Sequence, residues 1–86
     1  MDGHWLNVGY GNRVALGRVV AVLQMSSAPV KRMREKAAGE GRLIDATQGR
    51  RTRALIVMDS DHVVLSAVQP DTLAGRAEMQ GQQEDA

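Results

Sequence analysis

The sequence predicts a small α+β domain, an antiparallel or mixed sheet with a central hairpin and two helices. Three observations predict it. ALIVM (54–58) and VVLSAV (63–68) are apolar runs rich in β-branched residues, joined by the turn-forming residues 59–62. RVVAVLQM (18–25) is a third run of the same kind. Between them, SSAPVKRMREKAAGEG (26–41) sets Val30, Met33 and Ala37 at spacings of three and four, the period of an amphipathic helix.

Residues 5–8 read as a short opening strand, 9–12 as a glycine-rich turn, and 18–25 as a longer strand; together these open the sheet. The helix that follows has N-cap oxygens in Ser26 and Ser27 and a proline, Pro29, in its first turn, where a missing N–H costs little. Its outward face carries Lys31, Arg32, Arg34, Glu35 and Lys36, and Gly39 and Gly41 end it. A strand over 43–46 leads to a polar corner at Gln48 and Gly49, and the hairpin comes next. Pro70 and Asp71 start a short final helix through Leu73, Ala74 and Ala77, weakened by Gly75. Residues 1–78 form a single domain on this reading, and 79–86, with nothing to bury, a disordered tail.

A chain of 86 residues has room for one modest core and buries only about 60% of its unfolded surface, so self-association is expected. There is no cysteine, which excludes a disulfide framework and thiolate chemistry. The start MDGHWLNVG lacks the basic and apolar regions of a signal peptide, and Arg18 and Gln24 bracket the longest early apolar stretch. A cytoplasmic protein with no membrane association is expected.

Charge is divided along the chain. Ten of the eleven lysines and arginines fall in residues 1–53 against four carboxylates, whereas from 54 onward Arg76 alone faces six. Such asymmetry points to a basic face for a polyanion. Its focus is GRRTR (49–53), three arginines in five residues just ahead of a strand. Arginine's planar fork donates in pairs to phosphate oxygens or to guanine O6 and N7. Arg50, Arg51 and Arg53 are therefore candidate DNA contacts, with Lys31 and Arg32 of the helix face extending the surface and Arg18 a further candidate at the start of its strand. The alternative at this level is a solvated strand entry whose arginines pair with Glu35, Glu40 or Asp45.

Other chemistries fall away. GYGN (9–12) lacks the third glycine of a dinucleotide fingerprint, since position 14 is valine. Asp59, Asp61 and His62 crowd one short turn, and turn propensity accounts for them. No catalytic residues, metal, cofactor or small-molecule ligand is expected, and the protein is not expected to be an enzyme. With no phenylalanine, one tryptophan and one tyrosine, the chain has no platform for stacking single-stranded bases, which leaves double-stranded DNA as the favoured partner.

NVGYGN (7–12), SAPVKRM (27–33), LIDATQGRRTRALIVMDSDHVVLSAVQP (43–70) and the following DTLAGR resemble the RemA family, extracellular matrix regulatory protein A, over most of residues 5–76. The resemblance implies a bacterial transcriptional regulator that binds DNA, activates genes for biofilm matrix and assembles as a ring-like homo-oligomer around which DNA bends, with a fold like LytTR-type DNA-binding domains. It implies that Arg50 and Arg51 contact DNA and that Arg18 is a further basic position. Gln48 stands where the family has tyrosine, and 15–17 also depart from it. The rival to a DNA-binding regulator is a structural or adaptor protein whose basic face meets an acidic protein partner.

Overall fold

The computed structural model describes residues 4–85, with side chains through Met79. Its architecture is α+β, with two sheets where the sequence pointed to one. Strands β1 (Trp5–Gly9) and β2 (Asn12–Ala15) form an antiparallel ribbon. A single 3-10 turn (Leu16–Arg18) leads into β3 (Val19–Gln24), followed by helix α1 (Ala28–Gly39), β4 (Leu43–Asp45), β5 (Ala54–Met58), β6 (Val63–Ser66) and helix α2 (Pro70–Asp85). The four later strands make a second sheet in the order β3-β5-β6-β4, with β4 parallel to β6 and the other pairs antiparallel.

Residues 5–9 thus do not open the main sheet. They fold back on 12–15 because Tyr10 and Gly11 both take positive φ, at 55° and 81°, the conformation that matches a two-residue hairpin to the twist of its strands. Arg18 lies in the 3-10 turn, one residue before β3 begins. Helix α2 continues to Asp85, past the short helix expected; the tail predicted over 79–86 falls, beyond Met79, outside the described side chains.

The main sheet is covered on both faces. On one side Ile56, Val64 and Ala54 meet Leu6 and Val8 of the ribbon and Leu73 of α2. On the other, Leu55, Val63 and Leu65 meet Ala37 of α1, with Val30, Leu23 and Leu43 packed around them. Alternate residues of β5 and β6 serve opposite faces, which is why both strands are apolar throughout. Met33, expected on the inner face of α1, is exposed; Ala37 is the helix's one fully buried residue.

Helix α1 begins and ends as its sequence dictates. Ser27 caps it, its Oγ accepting from Val30 N–H at 3.4 Å, with Pro29 in the first turn. At the far end Gly41 takes φ +75°, Arg42 N–H bonds Ala37 C=O (2.8 Å) and Gly41 N–H bonds Ala38 C=O (3.3 Å), the two bonds of a Schellman motif. Arg42 then bonds both Glu40 and the Asp61 carbonyl, tying the helix exit to the β5–β6 turn.

The connection between β4 and β5 has to cross the end of β6, and it is fastened at each step. Ala46 N–H bonds Leu65 C=O (3.0 Å) and Arg53 N–H bonds Ser66 C=O (2.8 Å). Between these, Asp45 Oδ1 accepts from Thr47 N–H (2.9 Å) and Thr47 Oγ1 (2.6 Å). Thr47 C=O in turn accepts from Arg50 N–H (3.0 Å) across Gln48 and Gly49, both at positive φ. Beneath the crossing, fully buried Ser66 donates its Oγ–H to Val8 C=O (2.8 Å) and accepts from Val68 N–H (3.0 Å), joining the two sheets.

Ser66→Ala removes both side-chain bonds and should lower unfolding free energy by about 1–3 kcal/mol in denaturant titration. Gly9 holds φ +105°, and a Cβ there sits 3.1 Å from a Val68 methyl, so Gly9→Ala should cost about 1–3 kcal/mol in the same measurement. The two bonds from Thr47 hold the Asp45 carboxyl below its ordinary 3.8, burial opposing weakly and the charge of Arg34 assisting. A depressed carboxyl stabilises the fold above its unfolded value and ceases to do so as pH falls through its folded one. Thermal melts of wild type should therefore drop on acidification below about pH 4, and Asp45→Asn should remove that part of the drop.

Candidate functional site

Strand order collects five of the chain's cations at one end of the main sheet. Gln24, the last residue of β3, is paired with Ala54, the first of β5, and Ala54 with Ser66, the last of β6. The end of β3, the start of α1, the approach to β5 and the exit from β6 are thereby neighbours. Between them lies an open cleft of about 940 Å³, lined by Arg50, Arg51 and Arg53 from the crossing loop and by Lys31 and Arg34 from α1. Thr52 is half-buried while Arg51 and Arg53 on either side of it are exposed, the alternation of an extended segment.

This geometry bears on the alternative reading of GRRTR, in which its arginines pair with Glu35, Glu40 or Asp45. Among the described residues, no carboxylate lies within 4 Å of any of the five cleft cations. Glu40 pairs with Arg42, which holds its carboxyl below the ordinary range, and Asp45 is taken by Thr47. Among the described residues, the arginines of the crossing loop therefore have no ion-pair partner. Hydrogen bonds at Thr47, Arg50 and Arg53 anchor the backbone that carries them.

The structure brings together four of the six expected contacts, Arg50, Arg51, Arg53 and Lys31, and separates two. Arg18 lies at the opposite end of β3. Its NH1 is 3.4 Å from Asp59 Oδ1, and its carbonyl accepts from Asp59 N–H at 2.9 Å. The strand puts about 17 Å between that end and Gln24. Arg32 is exposed on α1 but lines no part of the cleft, because it lies about 100° around the helix from Lys31. Arg34 is on the cleft side at i+3 from Lys31, and Glu35 joins it at i+4. Gln24 and Gln69, which sequence reasoning passed over, complete the walls. Gln48 is exposed and outside them.

The features set aside from sequence stay apart from the cleft. Asp59, Asp61 and His62 form the exposed β5–β6 turn, with Ser60 Oγ 2.8 Å from His62 Nδ1 and Asp61 at φ +70°. Among the described residues no three His, Cys, Asp or Glu side chains cluster as metal ligands, and no helix is long and apolar enough to cross a membrane. Trp5 and Tyr10 are exposed on the ribbon, and neither lines the cleft.

Comparison with known proteins gives one consistent answer. Among similar proteins, each named "Putative regulatory protein", one from Carboxydothermus hydrogenoformans is 51% identical over 99% of this chain and 98% of its own length. One from Desulfatibacillum aliphaticivorans is 59% identical over 83% of this chain and 80% of its own. One from Clostridium botulinum is 54% identical over 93% and 88%. These names are those of regulators and not of enzymes. The family model described as extracellular matrix regulatory protein A-like matches residues 5–77, and the chain, with its cationic cleft inside that span, belongs to the RemA-like family of regulatory proteins.

Proposed function

We propose that the protein is a cytoplasmic DNA-binding transcriptional regulator that grips the phosphate backbone of duplex DNA in its arginine-lined cleft and acts as a homo-oligomer. The observation that carries this reading is the set of five cations, Lys31, Arg34, Arg50, Arg51 and Arg53, sharing one cleft with no ion-pair partner in the described chain. Arginines gathered in one cleft without an ion-pair partner among the described residues are available to an anion from outside. Duplex is favoured over single strands because neither exposed aromatic stands in the cleft to stack a base.

One cleft alone reaches few phosphates. A ring of identical subunits repeats the cleft around a curved duplex, adding avidity, while the stiffness of the bent sequence adds preference without a base contact at every position. Arg18, Arg32 and Arg50 to Arg53 then divide between them the surfaces that face DNA and neighbouring subunits. The family to which the chain belongs supports control of extracellular-matrix genes as the setting.

Binding measured against salt tests this directly. One cleft engaging all five cations gives a slope of log affinity against log salt of about −4.5, and an assembly presenting several clefts gives a steeper one. Replacing both Arg50 and Arg51 by alanine should flatten the slope by about 2 per engaged cleft and weaken binding to all sequences alike, with the light-scattering mass of the protein unchanged. A wild-type slope matching only one or two phosphates sinks the multi-subunit reading. Dissociation of the subunits in the double variant assigns the basic face to protein partners instead. A monomer whose mass is unchanged by a duplex of about 30 base pairs, long enough for several half-sites, overturns both halves of the proposal.

A further inference from the structure

The cleft is not purely cationic. Glu35 lines it beside the five cations, and it is the one carboxylate among the lining residues. A grip designed only for phosphate has no use for a negative charge at its surface. Nor does Glu35 serve as an internal counter-ion: among the described residues no lysine or arginine nitrogen comes within 4 Å of its carboxylate, although Lys31 is its i−4 neighbour on α1. The other described carboxylates of the basic half, Glu40 and Asp45, are engaged by Arg42 and Thr47 outside the cleft. Among the described carboxylates, Glu35 alone is left facing whatever the cleft admits.

We propose that Glu35 is a specificity-determining residue of the cleft: it repels phosphodiester backbone in arbitrary register and is tolerated only where the bound duplex presents a hydrogen-bond donor to it. This rests on the duplex-binding reading above and deepens it. A carboxylate has only acceptors, and among base edges the groups that answer it are exocyclic amines, cytosine N4 foremost in the major groove. Against such an edge Glu35 gains a bond. Against a phosphate it sets two negative charges side by side, with water and salt screening part of the repulsion. Selectivity then arises as a difference between duplexes, one of them penalised, and not from added attraction alone. The amides of Gln24 and Gln69 in the same walls carry both donor and acceptor and impose no such sign.

Glu35→Gln keeps the shape, suits the exposed helix face and removes the charge, so the variant should fold with an unchanged melting midpoint. Two duplexes of about 30 base pairs serve as probes, the sequence that wild type enriches from a random pool and a shuffled control. The expected result is that Glu35→Gln binds the shuffled duplex about three- to tenfold tighter while its affinity for the enriched duplex stays level or falls, so that the ratio between them shrinks at least threefold. A ratio unchanged in Glu35→Gln, whether both affinities hold, rise or fall together, overturns the inference and leaves duplex binding standing. So does wild type that binds duplex but enriches no sequence. Wild type that binds neither duplex overturns the reading on which the inference rests.

Discussion

Because β4 is parallel to β6 while β5 lies on the far side of β6, the chain leaving β4 cannot turn straight back; it has to pass over the end of a neighbouring strand. Everything distinctive about the molecule depends on how that passage is held. Its backbone groups cannot join a ladder, and each left unpaired near the core costs a hydrogen bond. The solution is local: Asp45 braces Thr47, Thr47 braces Arg50, and the β6 carbonyls of Leu65 and Ser66 receive the two ends. The arginines are carried on a segment that is irregular in form and yet fixed.

The same passage explains why the cations are free. Three arginines within four residues at the mouth of a strand repel one another, and carboxylates nearby would relieve that. Here Glu40 and Asp45 are committed to structural tasks, one to the helix exit and one to the crossing, and Glu35, although it lines the cleft, comes within 4 Å of none of its cations among the described residues. Fold stability and surface charge therefore draw on separate residues, so the arginines can be exchanged without unmaking the loop that displays them.

Much of this was legible in the chain. Apolar runs either side of 59–62 mark β5 and β6, and serine, proline and glycine at their proper offsets mark both ends of α1. The sequence placed Lys31, Arg32, Arg34, Glu35 and Lys36 together on one outward face; the seating of α1 against the sheet is what brings Lys31, Arg34 and Glu35 to the cleft and turns Arg32 aside. What escaped is non-local or conformational. β2, read as NRVA, has too little alternation to declare itself and exists because Tyr10 and Gly11 adopt positive φ. The separation of Arg18 from Arg51 follows from strand direction and register. Gln24 and Gln69 meet the arginines only because β3, β5 and β6 end together, and the left-handed Gln48 belongs to a residue type that seldom announces that conformation.

The placement of Arg18 beside Asp59, far from the cleft, has a consequence for how the protein meets a partner. With a net charge of +1, the chain as a whole is scarcely drawn to a distant polyanion. Its charges are nonetheless sorted by position. Five cations with no ion-pair partner among the described residues line the cleft at one end of the strands; at the other, Asp59 and Glu40 are paired with Arg18 and Arg42. That arrangement is an electric dipole along the sheet, and a dipole in a non-uniform field feels a torque before it feels much pull. Near a line of negative charge the molecule is turned cleft-first. Orientation, ordinarily the slow and wasteful part of a collision between specific patches, is in large part settled before contact.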